Sequence, residues 1–372
     1  MNRNSAEHAL VRATEFASSV GAQTAVFLAP MAGACPPSLS IAVANAGGMG
    51  ACGALLMSPQ AITSWADEFR KQSEGPFQMN LWVPDPPPVR NEEAEARQRK
   101  FLAGWGPMVP ADAGNGVLPD FEAQCRAMID ARPTAISSIM GLYPPSFVAE
   151  MKAQGIRWFA TATTLAEARA AEAAGADAIV AQGMEAGGHR GAFRAADAET
   201  EAVGLFALLP QIRDAVSVPV IASGGIGDGR GIAAALILGA SAVHIGTGFL
   251  RCPEANLNPA YAARLASTEA HDTRLTKAFS GRAGRAIRTR YVEAAAAPEA
   301  PAPAPYPVQR GLTRLMREQA SAVRDPERMQ MWAGQAARLS RAEAASSLLQ
   351  GWWAEALDCL RCLDTRPTGT TD

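Results

Sequence analysis

The sequence predicts an α/β fold of the (β/α)8 type, a TIM barrel, with an additional, mostly helical C-terminal segment. Three observations predict it. Eight short apolar runs recur along the chain, and alanine-rich stretches with helical periodicity separate them. The runs are continuously apolar rather than alternating, the pattern of parallel strands covered by helices. Eight strand–helix units over about 250 residues is the size of such a barrel. A doubly wound open sheet is the competing architecture. Its dinucleotide fingerprint would have to open the first helix, and "APMAGACPP" lacks it.

The strand runs are "AVFLAP" (25–30), "GMGACGAL" (48–55), "FQMNLWV" (77–83), "TAISSIM" (134–140), "RWFATA" (157–162), "DAIVAQ" (177–182), "PVIASG" (219–224) and "AVHIGT" (242–247). After the first, Pro36 and Pro37 suit the opening turn of a helix that stops at Gly47. Residues 85–120, rich in Pro, Gly and charge, read as a long loop or lid. Thr164 to Glu167 reads as a capping box, with Gly175 as the helix stop. Asp228 can cap a helix that ends at Gly239.

Residues 1–252 are assigned to the barrel and 253–326 to a helical or irregular excursion. The excursion carries an Ala/Pro linker, 294–307, expected to be extended and mobile. Within 327–362, "ERMQMWAGQAARLS" and "AEAASSLLQGWWAEALDCL" read as two helices that complete the barrel.

Composition excludes several classes. The 372 residues are 48% hydrophobic and 19% charged, a globular rather than disordered balance. The net charge of −2 gives no global basic field for nucleic acid or anionic lipid. "MNRNSAEHALVR" has no apolar core of secretion-signal type. The longest uncharged run, 231–250, is broken by glycine into a helix-like and a strand-like piece, so it reads as buried structure rather than a membrane span. Six cysteines without a secretion signal are expected as free thiols in the cytoplasm. Cys359 and Cys362 lack further ligands nearby and read as a plain helix face, so no metal is expected.

A barrel places its chemistry at the C-terminal ends of its strands. The seventh and eighth strands end in "SGGIGDG" and "IGTG", whose glycines let backbone amides approach a phosphate. The first ends in "APMAG", where Met31 can lie flat against a planar ring or pack as core. Asn80 and Gln182 end otherwise apolar strands. A buried amide needs partners, supplied by the edge of a polar ring or by backbone.

Only four histidines occur, and one of them, His189, sits in the glycine-rich stretch "QGMEAGGHRG" just after a strand. An imidazole there can act as base or hydrogen-bond donor near neutral pH. Glu185 could orient it or cap a turn. His244, inside the eighth strand, reads as a packed, hydrogen-bonded side chain. A planar ring plus phosphate, one polar histidine and no metal site point to flavin mononucleotide.

At these residues the chain resembles the nitronate monooxygenases, formerly 2-nitropropane dioxygenases. The matching stretches include "APMAGACPPSLSIAVANAGGMG", "QMNLWVP", "QGMEAGGHRG", "PVIASGGIGDGRGIAAALILGASAVHIGTGFL", "RLTKAFSGRAGRAIRTRY" and "MWAGQ". The resemblance implies a barrel holding non-covalent FMN. Ala29, Pro30, Met31 and Asn80 would border the flavin ring, and Gln182 would meet its polar edge. Gly187, Gly188, Gly224, Gly225, Gly246 and Thr247 would hold the phosphate side. His189 would be the catalytic histidine.

The implied reaction is oxidation of alkyl nitronates, and of nitroalkanes if His189 also removes an α-proton, by O2 to a carbonyl compound and nitrite. The flavin would use one-electron chemistry and consume no NAD(P)H. Two positions depart from the family pattern: His244 replaces a frequent glutamine, and "QMN" replaces "GVN". The alternative is an FMN-dependent NAD(P)H reductase of quinone or enoyl-acyl carrier protein type. Either enzyme would act on small molecules, as a monomer or homodimer, without nucleic acid or membrane.

Overall fold

The structure, a computed structural model, describes residues 4–364. Each predicted run forms a strand, shorter than the run itself except at 157–162, where the two coincide. The barrel strands are β1 (Val26–Leu28), β2 (Gly50–Gly53), β3 (Phe77–Trp82), β4 (Ala135–Ile139), β5 (Arg157–Ala162) and β6 (Ala178–Gln182). A two-residue strand, β7 (Gly188–His189), follows, and β8 (Val220–Ser223) and β9 (Ala242–Ile245) complete the set.

All barrel pairs are parallel, in the order β1-β9-β8-β6-β5-β4-β3-β2. The ends meet where Phe27 bridges Met49 and the Leu28 amide bonds the Met49 carbonyl at 2.9 Å. The result is a nearly closed (β/α)8 barrel, as the apolar runs require. Phe16, from the helix Asn4–Ser19, reaches Phe27 and Phe159, each at 6.1 Å, and plugs the lower end.

The helix signals hold with one change. Pro37 opens the helix Pro37–Asn45, and the Asp228 carboxylate accepts from the Gly231 amide. Thr164 accepts from the Glu167 amide, but Glu167 does not return the bond to Thr164. Its carboxylate takes the Thr163 amide and hydroxyl and the Phe193 amide instead, tying the helix to the loop beyond β7. The uncharged run 231–250 divides as expected, between the helix Gly229–Ile237 and β9. Among the described residues no helix is long and apolar enough to cross a membrane.

The connecting segments differ more. Residues 85–120, expected as a loop, contain the helix Glu92–Leu102, capped by Asn91. An Arg90–Glu95 ion pair with a buried carboxylate anchors it. The excursion forms β10 (Thr273–Thr276) and β11 (Gly284–Ile287), an antiparallel pair whose outer partner is β7. The Ala/Pro linker is held down: Gln98 donates to the Pro301 carbonyl at 2.6 Å, and the buried Ala304 amide donates to Gln309 at 3.0 Å. Its prolines stiffen a strap that side-chain amides from two helices can grip.

Residues 327–340 do not form the expected helix. Their backbone is taken by neighbours: Ile287 donates to Met331, Ala333 donates to Arg285, and Gln335 donates to Glu185. Only Ala337–Leu339 makes a 3-10 turn. The last helix, Ala345–Asp364, packs on the helix Gly229–Ile237. Gly229 permits this contact, since a Cβ there would stand 2.5 Å from that of Glu355. Cys359 packs against the core on that helix.

Candidate active site

The C-terminal ends of the strands converge on one mouth. After β1, Ala29, Pro30 and Met31 are half-buried while the strand itself is fully buried. The Ala29 amide bonds the Ile245 carbonyl at 3.0 Å, so the ends of β1 and β9 lie side by side. A Cβ on Gly246 would stand 3.2 Å from the Met31 sulfur, so glycine lets that loop close against it. Asn80 donates to the Ser137 carbonyl and hydroxyl at 3.1 and 3.0 Å. Its Oδ1 has no hydrogen-bond partner among the described residues.

One wall is built from glycine backbone. Gly224 and Gly225 adopt φ of +112° and +71°, conformations that side chains resist. A Cβ on Gly187 would collide with the Gly334 amide at 2.5 Å. The Thr247 hydroxyl accepts from that same amide at 3.0 Å and so keeps its own proton to donate. The segment expected as a helix, 327–340, thus supplies the cover of the glycine wall.

The stretch 182–191 is fixed, not a free turn. His189 and Gly188 pair with Gly284 and Arg285 of β11. Gln182 uses its side chain to shape the loop: Oε1 accepts from Gly191 at 2.8 Å and Nε2 donates to the His189 carbonyl at 3.1 Å. One amide hydrogen is left for a ligand. The buried Arg190 guanidinium binds the Gln182 and Gly183 carbonyls, and burial pushes it down to about 10. Glu185 does not orient His189; its carboxylate caps the Leu205 amide at the next helix.

The His189 ring lies between two indoles. Trp82 meets it edge-on and Trp332 at a tilt, each with centroids 4.6 Å apart. Its Nε2 is 2.7 Å from the Ser280 hydroxyl. Burial, then the nearby charges of Arg282 and Arg310, push its pKa down to about 3. The imidazole is therefore neutral at working pH. Apolar walls and two cations thus keep the ring in the unprotonated form, the one that can accept a proton.

Arg282 is fully buried and paired with Asp85, with a further bond to the Ala192 carbonyl. Arg310 is half-buried, and its guanidinium has no hydrogen-bond partner among the described residues. Tyr306 lies tilted against Trp82 with centroids 5.1 Å apart, and its buried hydroxyl has no partner among the described residues either. Lower in the barrel, His244 is buried 2.8 Å from Gln78, and burial lowers its pKa to about 3. Trp105 packs away from His189, on Phe101 and Tyr291.

Residue-by-residue reading missed Ser280, Arg282, Tyr306 and Arg310. The stretch "AFSGRAGRAI" holds two of them, but nothing local ties it to His189.

Over residues 15–353 the chain matches the family described as nitronate monooxygenase. A nitronate monooxygenase of Paraburkholderia phytofirmans is 38% identical over 341 residues, 89% of this chain and 91% of that one. One of Pseudomonas aeruginosa is 38% identical over 344 residues, 90% of this chain and 97% of the other.

The chain belongs to the nitronate monooxygenase family.

Among solved structures, a nitroalkane oxidase from Streptomyces ansochromogenes superposes with a TM-score of 0.85 at 33% identity. The match covers 93% of this chain and 99% of that one. FabK from Thermotoga maritima is similar at 26% identity and TM-score 0.73, covering 95% and 97% of the two chains. The family match runs through the excursion and into the last helix. The part of this nitronate monooxygenase family member that carries Ser280, Tyr306 and Arg310 is thus inside the shared unit, not an appendage to it.

Proposed function

We propose that this oxidoreductase uses FMN to oxidise alkyl nitronates with O2, giving a carbonyl compound and nitrite. The observation that carries the reading is the unpaired Arg310 beside a neutral His189 at the barrel mouth. A nitronate is a compact anion. It needs a positive group for its oxygens and apolar walls for its alkyl part. Arg310 and the Tyr306 hydroxyl supply the first, and Trp82 and Trp332 the second. His189, being uncharged, is not the source of positive charge.

The residues present fit FMN. The Gly224–Gly225 turn, Gly187, Gly188, Gly246 and the free proton of Thr247 form a cradle for its phosphate. Ala29, Pro30 and Met31 would carry one edge of the ring, with Asn80 Oδ1 and the remaining Gln182 amide hydrogen at its polar positions. When bound, FMN supplies the electron transfer between nitronate and O2. The chain's own work is to bind and orient the anion, exclude water with the aromatic walls, and hold a proton acceptor at His189. This reading assigns the FMN barrel to residues 1–252 with the last helix, and the substrate side of the site to the excursion 253–326. It places the enzyme in the cytoplasm as a monomer or homodimer.

An anaerobic titration tests the proposal. Propyl-2-nitronate should bleach the flavin band of the purified protein, and nitrite should appear on admitting O2. The likeness to FabK favours a second reading, a pyridine-nucleotide reductase. Bleaching by NADH or NADPH and not by nitronate would establish that reading instead.

A further inference from the structure

We propose that Ser280 is a positioning residue that locks His189 as the Nε2–H tautomer and leaves Nδ1 as the proton-accepting atom toward the substrate. The inference rests on the reading of His189 as the group that meets the substrate.

The Ser280 hydroxyl has one proton and three neighbours. It receives the Arg282 amide at 3.3 Å, lies 3.1 Å from the Arg282 carbonyl, and lies 2.7 Å from His189 Nε2. Ser280 is 1% exposed, as is Arg282, so water does not substitute for a missing partner. Two arrangements are possible. In one, Nε2–H donates to the hydroxyl, which donates to the Arg282 carbonyl. Nε2, the hydroxyl, and the Arg282 amide and carbonyl are then all paired. In the other, the hydroxyl donates to Nε2, and the Arg282 carbonyl loses its donor. The ring proton then sits on Nδ1, which has no acceptor among the described residues. Buried polar groups are paired wherever the structure allows, so the first arrangement holds.

The backbone fixes the hydroxyl as firmly as it fixes the ring. Ser280 lies in the turn between β10 and β11, held by the adjoining Gly281 at φ +87° against the Ala304 carbonyl. His189 is on β7, the neighbouring strand to β11. One small sheet therefore sets both partners.

The consequence is chemical. A neutral ring with a bare Nδ1 accepts a proton there and does not donate one. With a neutral nitroalkane, the α C–H bond breaks and its proton goes to Nδ1. The electron pair stays on carbon and spreads into the nitro group, giving the nitronate. No oxidant is consumed in that step. Nitronates supplied as such skip it.

The tautomer is read directly by 15N NMR of the histidine-labelled holoenzyme, with His189→Asn to assign the ring. The expected spectrum has a protonated Nε2 and an unprotonated Nδ1. A protonated Nδ1 would overturn the proposal, whatever the enzyme's substrate. Ser280→Ala should abolish the single tautomer and lower turnover of nitroethane relative to its nitronate about tenfold or more. Ser280→Thr, which keeps the hydroxyl, should restore both. An unchanged ratio and an unchanged spectrum in Ser280→Ala would equally sink it. Absence of nitronate turnover in the native enzyme would instead strike at the functional reading and leave the NMR result standing.

Discussion

At His189 the surroundings decide the chemistry more than the residue type does. The ring is neutral because indoles cover it and two arginines oppose its protonation. His189→Asn should keep the yellow colour of bound flavin and lose turnover by about a hundredfold or more. Full activity in that variant would remove His189 from the mechanism. Arg310 has the opposite role, charge without a partner. Arg310→Met should raise the KM for nitronate about tenfold to a hundredfold, the worth of a charged hydrogen bond, with a smaller effect on kcat. A change confined to kcat would argue that Arg310 does not hold the ground-state anion.

Among the elements, the three-stranded sheet β10-β11-β7 and the strap over it organise the site. They bring Ser280, Arg282 and Tyr306 to the barrel mouth, where Trp82 of β3 meets His189 of β7. The strap depends on Gly281, whose missing side chain leaves room for the Ala304 carbonyl; a Cβ would stand 2.3 Å from that oxygen. Its φ of +87° also excludes side chains cheaply accommodated elsewhere. Gly281→Ala should therefore cost about 2 kcal/mol or more. Thermal unfolding would show this as a lower Tm, together with faster proteolysis in 294–307. An unchanged Tm would mean that the strap contributes nothing to the fold.

For the whole molecule, stability is tied to two buried histidines, His189 and His244. Both have pKa values lowered from 6.5 to about 3. Between those limits the unfolded chain binds a proton at each site and the folded chain does not. Unfolding therefore takes up protons, and stability rises with pH across the window and is lost as pH falls through it. Each histidine contributes a slope of up to about 1.4 kcal/mol per pH unit. Carboxylates begin to add to the slope only near 4.5, the ordinary value for glutamate. Denaturant titrations between pH 5 and 6.5 isolate the histidines. His244→Gln should halve the slope there, and an undiminished slope would show that His244 is already protonated in the fold.

What the sequence by itself determined is the local part of this protein. Strand runs, helix caps and glycine turns are set by neighbours a few residues apart, so the barrel, its mouth and the glycine wall at 224–225 were legible. His189 stood out because it is a rare residue on a glycine-rich stretch after a strand. Residues 327–340 were not legible: their helical pattern yields to β11 and the glycine wall, which claim their amides. The tertiary structure alone decided the charge, tautomer and partners of the site. Ser280 reaches His189 across 91 residues, and Arg282 reaches Asp85 across 197. A proton's position and a cation's freedom follow from burial and from such distant contacts, which no short window of sequence contains.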